Sequence, residues 1–590
     1  MRRFAVGCLA VFGFLCLLIV VALGVGAYVL FDRFSPVDQA EFAEAENAVL
    51  LVDLRGPLID GPEPDPFVSA FSDIAAPTLN QVSNAITSAK NDDGIIAMVV
   101  RLSGDSADPA MAQALHRKIS EFSASGKPVI AHASSFGEFG SGTYSYMIAT
   151  AADTIALSKG GSVGVTGLSA SVPFAADTFA LAGLQADVGR RGPFKTAPEV
   201  ATESSMSPDH REMLESLTGD LFSQVLATIS ESRNLEPSTV QQLVDTAPIE
   251  AEEALDRGLV DQIVSWQDMD DILGEFGASK YDLFPIDSYQ PLPPDAAETR
   301  VALIHASGPI IEGSTPDSPF GPQAQIASDD LSLTIDDAFD DTSFDAIILR
   351  IDSGGGSAIA SEVIANAIDS VTESDMPFVV SMGSAAASGG YWLSAPADSI
   401  VAEAGTITGS IGVFAGKLVT RDLWERLGVN WDGVKFGDHA DMFSILQPFS
   451  NSERVRLEGF LDTVYDDFLT RVAEGRGMTT QAVDVVAQGR VWTGAQALER
   501  GLVDRLGGID EAVDEARQLL NLPDGTEIEV VPYPPPVSVF DRVADLASGN
   551  IQAATSHPRD LVQLIDKYTK MANSGGLARM APVVINGTLY

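Results

Sequence analysis

Ser388 sits in the run Ser381–Trp392, SMGSAAASGGYW, with Ala385, Ala386 and Ala387 before it and Gly389 and Gly390 after it. A serine at the turn from a strand into a helix is open to substrate and lies beside helix N-terminal N–H groups that can stabilise an oxyanion. The glycines let a substrate backbone come close. A second glycine turn, Ser353-Gly-Gly-Gly356, closes the apolar run Ala346–Ser353 and could supply the rest of such a hole. A serine hydroxyl needs a base to become a nucleophile. No histidine stands in a triad context, and no G-x-S-x-G elbow surrounds Ser388. A lysine can serve if burial lowers its pKa toward neutrality. Lys195 follows an apolar Phe194 in the Gly/Pro-shaped segment Gly189–Glu199. Taken singly, each feature has a plainer reading: small-residue turns are common as structure, and Lys195 is also what an ordinary surface lysine looks like.

Other chemistries have little support. The histidines His116, His132, His210, His305, His439 and His557 are scattered and form no HExxH cluster, so no metal is expected. A G-x-G-x-x-G fingerprint is absent at these turns, which argues against a dinucleotide, and no organic cofactor is expected. Lys+Arg number 36 against 82 Asp+Glu, a formal net charge of −46, so nucleic acid is excluded as a natural partner. The acidity otherwise reads as a solvated surface. Both cysteines, Cys8 and Cys16, lie in the N-terminal apolar stretch, which leaves the rest of the chain without disulfide or thiolate chemistry.

The elements that must position these residues occur twice. Ala48–Phe67 (AVLLVDLRGPLIDGPEPDPF) parallels Val301–Phe320 (VALIHASGPIIEGSTPDSPF), and Ile95–Ser103 parallels Ala346–Ser353. Each continuous apolar run reads as a strand buried on both faces. A helix-compatible stretch and a further strand follow in each half, starting at Pro128 and Pro377, and Ala254–Asp261 matches Ala497–Asp504. Alternating strands and helices predict an α/β fold of βαβ units in two tandem domains, 46–288 and 299–533. The Pro-rich segment 290–298 joins them, and 534–590 reads as a polar tail. Phe4–Phe31 carries no charge and follows Arg2 and Arg3, which predicts an uncleaved transmembrane helix (residues 1–31 as anchor) with the body on the far side of the membrane.

Together these residues resemble peptidase family S49, of the signal peptide peptidase A (protease IV) type in its long, duplicated form. The resemblance is carried by S-M-G-x-x-A-A-S-G-G-Y-W at Ser381–Trp392, T-G-S-I-G-V at Thr408–Val413 and F-K-[ST]-A-x-E at Phe194–Glu199, and it covers nearly the whole chain. It implies two crotonase/ClpP-like domains, Ser388 as nucleophile and Lys195 as general base. It further implies cleaved signal peptides as substrates, a bacterial inner membrane location with a periplasmic body, and a bowl-like homo-oligomer, a tetramer. An oxyanion hole from Gly355 or Gly356 with Gly389 is expected, although Gly354 stands where the family usually has proline. Ser410 is expected to line the substrate pocket. Aligning the repeats carries Ser388 onto Thr143 and Lys195 onto Ala440, so each half keeps one member of the pair. The site should therefore form where unlike halves meet, and the family's oligomer suggests a meeting between protomers. The other classes considered are a crotonase-type acyl-CoA enzyme and a silent membrane scaffold.

Overall fold

The computed structural model of the chain describes residues 47–62, 76–138, 140–289, 297–315 and 324–535. The apolar run Phe4–Phe31 and the tail beyond residue 535 lie outside the described residues, as does most of the 290–298 segment. Among the described residues no helix is long and apolar enough to cross a membrane.

Each half is built on a six-stranded parallel core. In the first half the order across the sheet is Gln262–Ile263, Thr154–Leu157, Val129–Ala133, Ile95–Leu102, Ala48–Asp53 and Leu283–Pro285. In the second it is Arg505–Leu506, Ser399–Ala402, Phe378–Ala387, Ala346–Ser353, Thr299–Ser307 and Ile528–Tyr533. The orders correspond strand for strand, as the repeat predicts. The apolar runs became central strands because both faces are covered. Ile95–Leu102 and Ala346–Ser353 are almost wholly buried, and separate apolar clusters lie on the two faces of each sheet.

Matching bonds recur in the two halves. The Asp153 carboxylate accepts the Val129 N–H, and the Asp398 carboxylate accepts that of Phe378, both at 2.8 Å. Buried Tyr146 donates to the Leu259 carbonyl, and buried Tyr391 to that of Leu502. The halves differ where the chemistry was expected. Val129–Ala133 has five residues, whereas Phe378–Ala387 has ten. Its extra length pairs with Ile407–Gly409, which in turn pairs antiparallel with Val491–Thr493. A bulge opposite Ile351–Ser353 accommodates the extension, and Asp352 Oδ1 accepts the Ala385 N–H across it at 2.9 Å.

The halves clasp one another. Gln185–Arg191 of the first pairs antiparallel with Val413–Val419 of the second. The 26-residue helix Pro208–Arg233 lies against Val491–Thr493, with Asp220 accepting from Thr493 Oγ1 and Glu212 from Arg490. The 25-residue helix Asn451–Gly475 lies along Gln185–Arg191, with Glu458 and Asp462 gripping Arg191. Arg117 of the first half forks onto Glu403 of the second at 2.6 and 2.9 Å. Asp60 meets Arg350 at 2.5 Å with both side chains nearly inaccessible, and Ser381 Oγ and the Met382 carbonyl take further bonds from the guanidinium.

Removing one partner of a buried pair strands the other charge, at a cost of about 3–5 kcal/mol. Arg350→Met is therefore expected to lower Tm markedly in thermal unfolding. The exposed pair Arg257–Glu253 should contribute little, and Arg257→Met is expected to leave Tm near wild type. Equal effects would contradict this view of the interface.

Candidate active site

Ser388 ends the long strand and caps the helix Gly389–Ser394. Its backbone is left-handed, φ +56° and ψ −117°, which costs a non-glycine residue about 1–3 kcal/mol. The strain is held in place: the Ser388 N–H donates to the Gly409 carbonyl at 2.8 Å, and its carbonyl accepts from Trp392 at 2.9 Å. Its side chain makes no capping bond to the helix, so the hydroxyl is left for another partner.

That partner is Lys195. Its Nζ lies 2.9 Å from Ser388 Oγ, 2.8 Å from the Ser410 carbonyl oxygen and 2.9 Å from Ser410 Oγ. Lys195 is only 5% exposed, and burial pushes its ammonium from an ordinary 10.5 down to about 7. Ser388 is half-buried, whereas Lys195 is almost wholly enclosed. The expectation that the halves meet between protomers is corrected: one chain brings Ser388 and Lys195 together. The physical reason is the mixed ribbon, since Lys195 follows just beyond Gln185–Arg191 and Ser410 lies just before Val413–Val419.

The glycine turns divide their roles. The Gly355 amide is already engaged by Ser353 Oγ at 3.1 Å, which corrects the expectation that it donates to an oxyanion. Gly355 serves instead by closeness. It holds φ +100°, and a Cβ there would lie 2.6 Å from the Gly389 nitrogen and 2.8 Å from Ser388 Cβ. A Cβ on Gly389 would lie 3.1 Å from the Gly356 nitrogen, so these two amides are neighbours. Neither donates to any acceptor among the described residues. Ser410, expected in a substrate pocket, is found bonded to the lysine through both its oxygens. The counterparts in the other copy are inert: Thr143 is buried and bonds the Gly167 carbonyl, and Ala440 is exposed on a loop.

The comparisons with known proteins bear on this geometry. The protein-family model described as Peptidase family S49 matches residues 121–275 and 370–523, one match in each half. The chain is 32% identical to Protease 4 of Salmonella typhi, over 90% of this chain and 87% of that protein. It is 32% identical to Protease 4 of Haemophilus influenzae, over 75% and 73%. It is 28% identical to the chloroplastic serine protease SPPA of Arabidopsis thaliana, over 91% and 78%. The chain belongs to peptidase family S49.

Sequence reasoning missed part of what supports the lysine in this S49 peptidase. Buried Glu199, the last residue of the F-K-[ST]-A-x-E segment, accepts from Arg190 at 2.9 Å, from Ser207 Oγ at 2.8 Å and meets His210 Nδ1 at 3.0 Å. Burial opposes its charge, but the bonds from Ser207, Arg190 and His210 outweigh it and hold the carboxyl below its ordinary value. Arg190 also donates to the Lys195 carbonyl at 3.2 Å, so the cluster ties the lysine turn to the ribbon and to the Pro208–Arg233 helix. The glutamate was visible in the quoted segment. His210 gave no signal, because it lies eleven residues downstream in an unremarkable helix start.

The buried lysine carries a stability cost with a defined pH window. Between pH 7 and 10.5 the unfolded chain holds a proton at Lys195 that the folded chain has released. The cost is full below pH 7 and shrinks as pH rises toward 10.5. Lys195→Met keeps most of the side-chain volume without the charge. It is expected to raise Tm near about pH 6, with the gain shrinking as pH rises above neutrality. A Tm below wild type at the acid end would contradict the assignment.

Proposed function

We propose that this chain is a serine endopeptidase in which Ser388 is the nucleophile and neutral Lys195 the general base. The observation that carries the reading is the 2.9 Å contact between Lys195 Nζ and Ser388 Oγ, in surroundings that bring the lysine to about 7. A neutral amine has two N–H donors and one lone pair. The two Ser410 oxygens take the donors, which leaves the lone pair for the Ser388 hydroxyl. Ser410 is then a positioning residue.

In the reaction Ser388 Oγ bonds to the peptide carbonyl carbon while its proton passes to Lys195 Nζ. The Gly356 and Gly389 amides are placed in the oxyanion role, supported by their adjacency and unused N–H groups. The C–N bond then breaks, and the Lys195 ammonium returns the proton to the leaving amine. Water, deprotonated by Lys195, hydrolyses the acyl-enzyme, and the proton returns to Ser388. None of these steps calls for a metal or an organic cofactor.

The substrate reading is cleaved signal peptides, bound extended with small or apolar side chains. It is supported by the resemblance and by relatives that carry the names Protease 4 and SPPA. The Phe4–Phe31 run, with Arg2 and Arg3 before it, supports single-pass anchoring in a bacterial inner membrane with the body on the periplasmic side. A homo-oligomer belongs to the same reading.

Ser388→Ala and Lys195→Ala are each expected to abolish peptide hydrolysis while the purified proteins keep wild-type circular dichroism. A fluorophosphonate should label Ser388 in wild type and neither variant appreciably. Because the base must be neutral, kcat/KM should rise with pH through an inflection near 7. Substantial hydrolysis by either variant would defeat the dyad, and a rate that falls as pH rises from 6 to 8 would defeat the neutral-base assignment.

A further inference from the structure

Ser410 and Phe194, the residue before Lys195, are both hydrogen-bonded by a turn that neither strand of the ribbon supplies. The chain leaves the helix Thr480–Val486, passes through Ala487, Gln488, Gly489 and Arg490, and enters the strand Val491–Thr493. Gln488 and Gly489 are consecutive left-handed residues, φ +54° and +76°. That geometry turns successive backbone groups toward different neighbours. The Gln488 carbonyl accepts the N–H of Phe194, the residue before Lys195, at 3.0 Å. The Gly489 N–H donates to the Ile411 carbonyl at 2.7 Å, and the Arg490 carbonyl accepts the Ser410 N–H at 2.7 Å. The turn thus bonds the lysine segment on one side and the segment of its two acceptors on the other.

Contact is as close as backbone allows. A Cβ at Gly489 would lie 2.5 Å from Lys195 N, 2.6 Å from its Cβ and 2.7 Å from its Cα. A Cβ at Gly192 would lie 2.2 Å from the Gln488 carbonyl. The Arg490 guanidinium lies over the Phe194 ring at 4.7 Å and the Trp492 ring at 4.5 Å, and pairs with Glu212 at 2.8 Å. The turn is itself anchored: Tyr465 Oη accepts the Gln488 N–H at 3.2 Å and donates to Asp484 at 2.7 Å. Gly489 thus packs directly on the backbone and Cβ of Lys195, which is almost wholly enclosed.

The geometry points to the Gln488–Arg490 turn as the positioning element that holds Lys195 against Ser388 and keeps it buried, with Gly489 as the residue whose missing side chain makes the fit possible. The role rests on the Ser388–Lys195 reading of the site. It assigns no contact with substrate to the turn.

The test compares two alanine substitutions at left-handed glycines. Gly489→Ala drives a methyl group into the Lys195 backbone. Gly501→Ala carries similar conformational strain at φ +71°, but nothing lies within 4 Å of its Cβ. For each, kcat, KM, Tm and the pH dependence of kcat/KM would be measured on a peptide substrate. Gly489→Ala is expected to lose kcat about 100-fold, as a displacement near 1 Å does, with KM little changed. Its inflection should move upward from near 7, because a displaced amine is better hydrated. Gly501→Ala should keep wild-type kcat and inflection. If Gly489→Ala does not fold, Tyr465→Phe removes the turn's anchor and should give a smaller fall in kcat with the same direction of shift. Wild-type kcat and inflection in folded Gly489→Ala, or in Tyr465→Phe where the former fails to fold, would overturn the proposal. So would lost kcat with an unmoved inflection. Hydrolysis surviving in Lys195→Ala would instead strike the dyad itself, so the two failures are separable.

Discussion

The site depends on one antiparallel pairing. Gln185–Arg191 comes from the first half and Val413–Val419 from the second, and their register runs from Val413 opposite Arg191 to Val419 opposite Gln185. Lys195 lies just past one end of this ribbon and Ser410 just before the same end. A slip of two residues would carry the lysine away by about 7 Å, far beyond hydrogen-bond reach. A slip of one would turn each side chain to the opposite face. The register is fixed from outside: Arg191 is held by Glu458 and Asp462, Arg454 reaches Asp187, and Gly189 leaves room for Leu461. The helix Asn451–Gly475 supplies all of these second-half groups, so its packing sets the ribbon and the ribbon sets the lysine.

Much of the scaffold was legible in the sequence because burial writes a plain code. Continuous apolar runs such as Ile95–Leu102 and Ala346–Ser353 read as strands covered on both faces, and the repeat implied that the two halves share one architecture. The serine turn was legible for a different reason. Three alanines and two glycines around Ser388 mark a place where backbone must come close, and the structure packs Gly355 and Gly389 tightly there. What could not be read was contact across the chain. Ser410 as a lysine partner and Gly489 under the Lys195 backbone are juxtapositions created by the clasp of the halves, and His210 on Glu199 is a fold-back within the first half; local residue types encode none of them. The same blindness placed the meeting of halves between protomers. Gly355 was misread because its turn was seen but the bond from its amide to Ser353 was not.

In the proposed mechanism the two copies divide the labour. The two copies share the same supporting bonds, Asp153 with Asp398 and Tyr146 with Tyr391, while Thr143 stands at the counterpart of Ser388 and Ala440 at that of Lys195. The shared bonds hold the parallel sheets, on which stability rests. The reactive pair works against stability: a buried amine held near 7 and a serine held at positive φ are both unfavourable in isolation. They persist because packing from both halves over-determines them. The buried Asp60–Arg350 pair and the Arg117–Glu403 fork belong to that same interface.

The central claim is that a single chain carries the whole site. Mixing tests it directly, by co-expressing Ser388→Ala and Lys195→Ala chains under distinct affinity tags and assaying the doubly purified assembly on a peptide substrate. Each chain would then lack one member of its own pair, so the account predicts no recovery of hydrolysis above either variant alone. Recovery of a substantial fraction of wild-type activity would mean that serine and lysine meet between chains, and would contradict it.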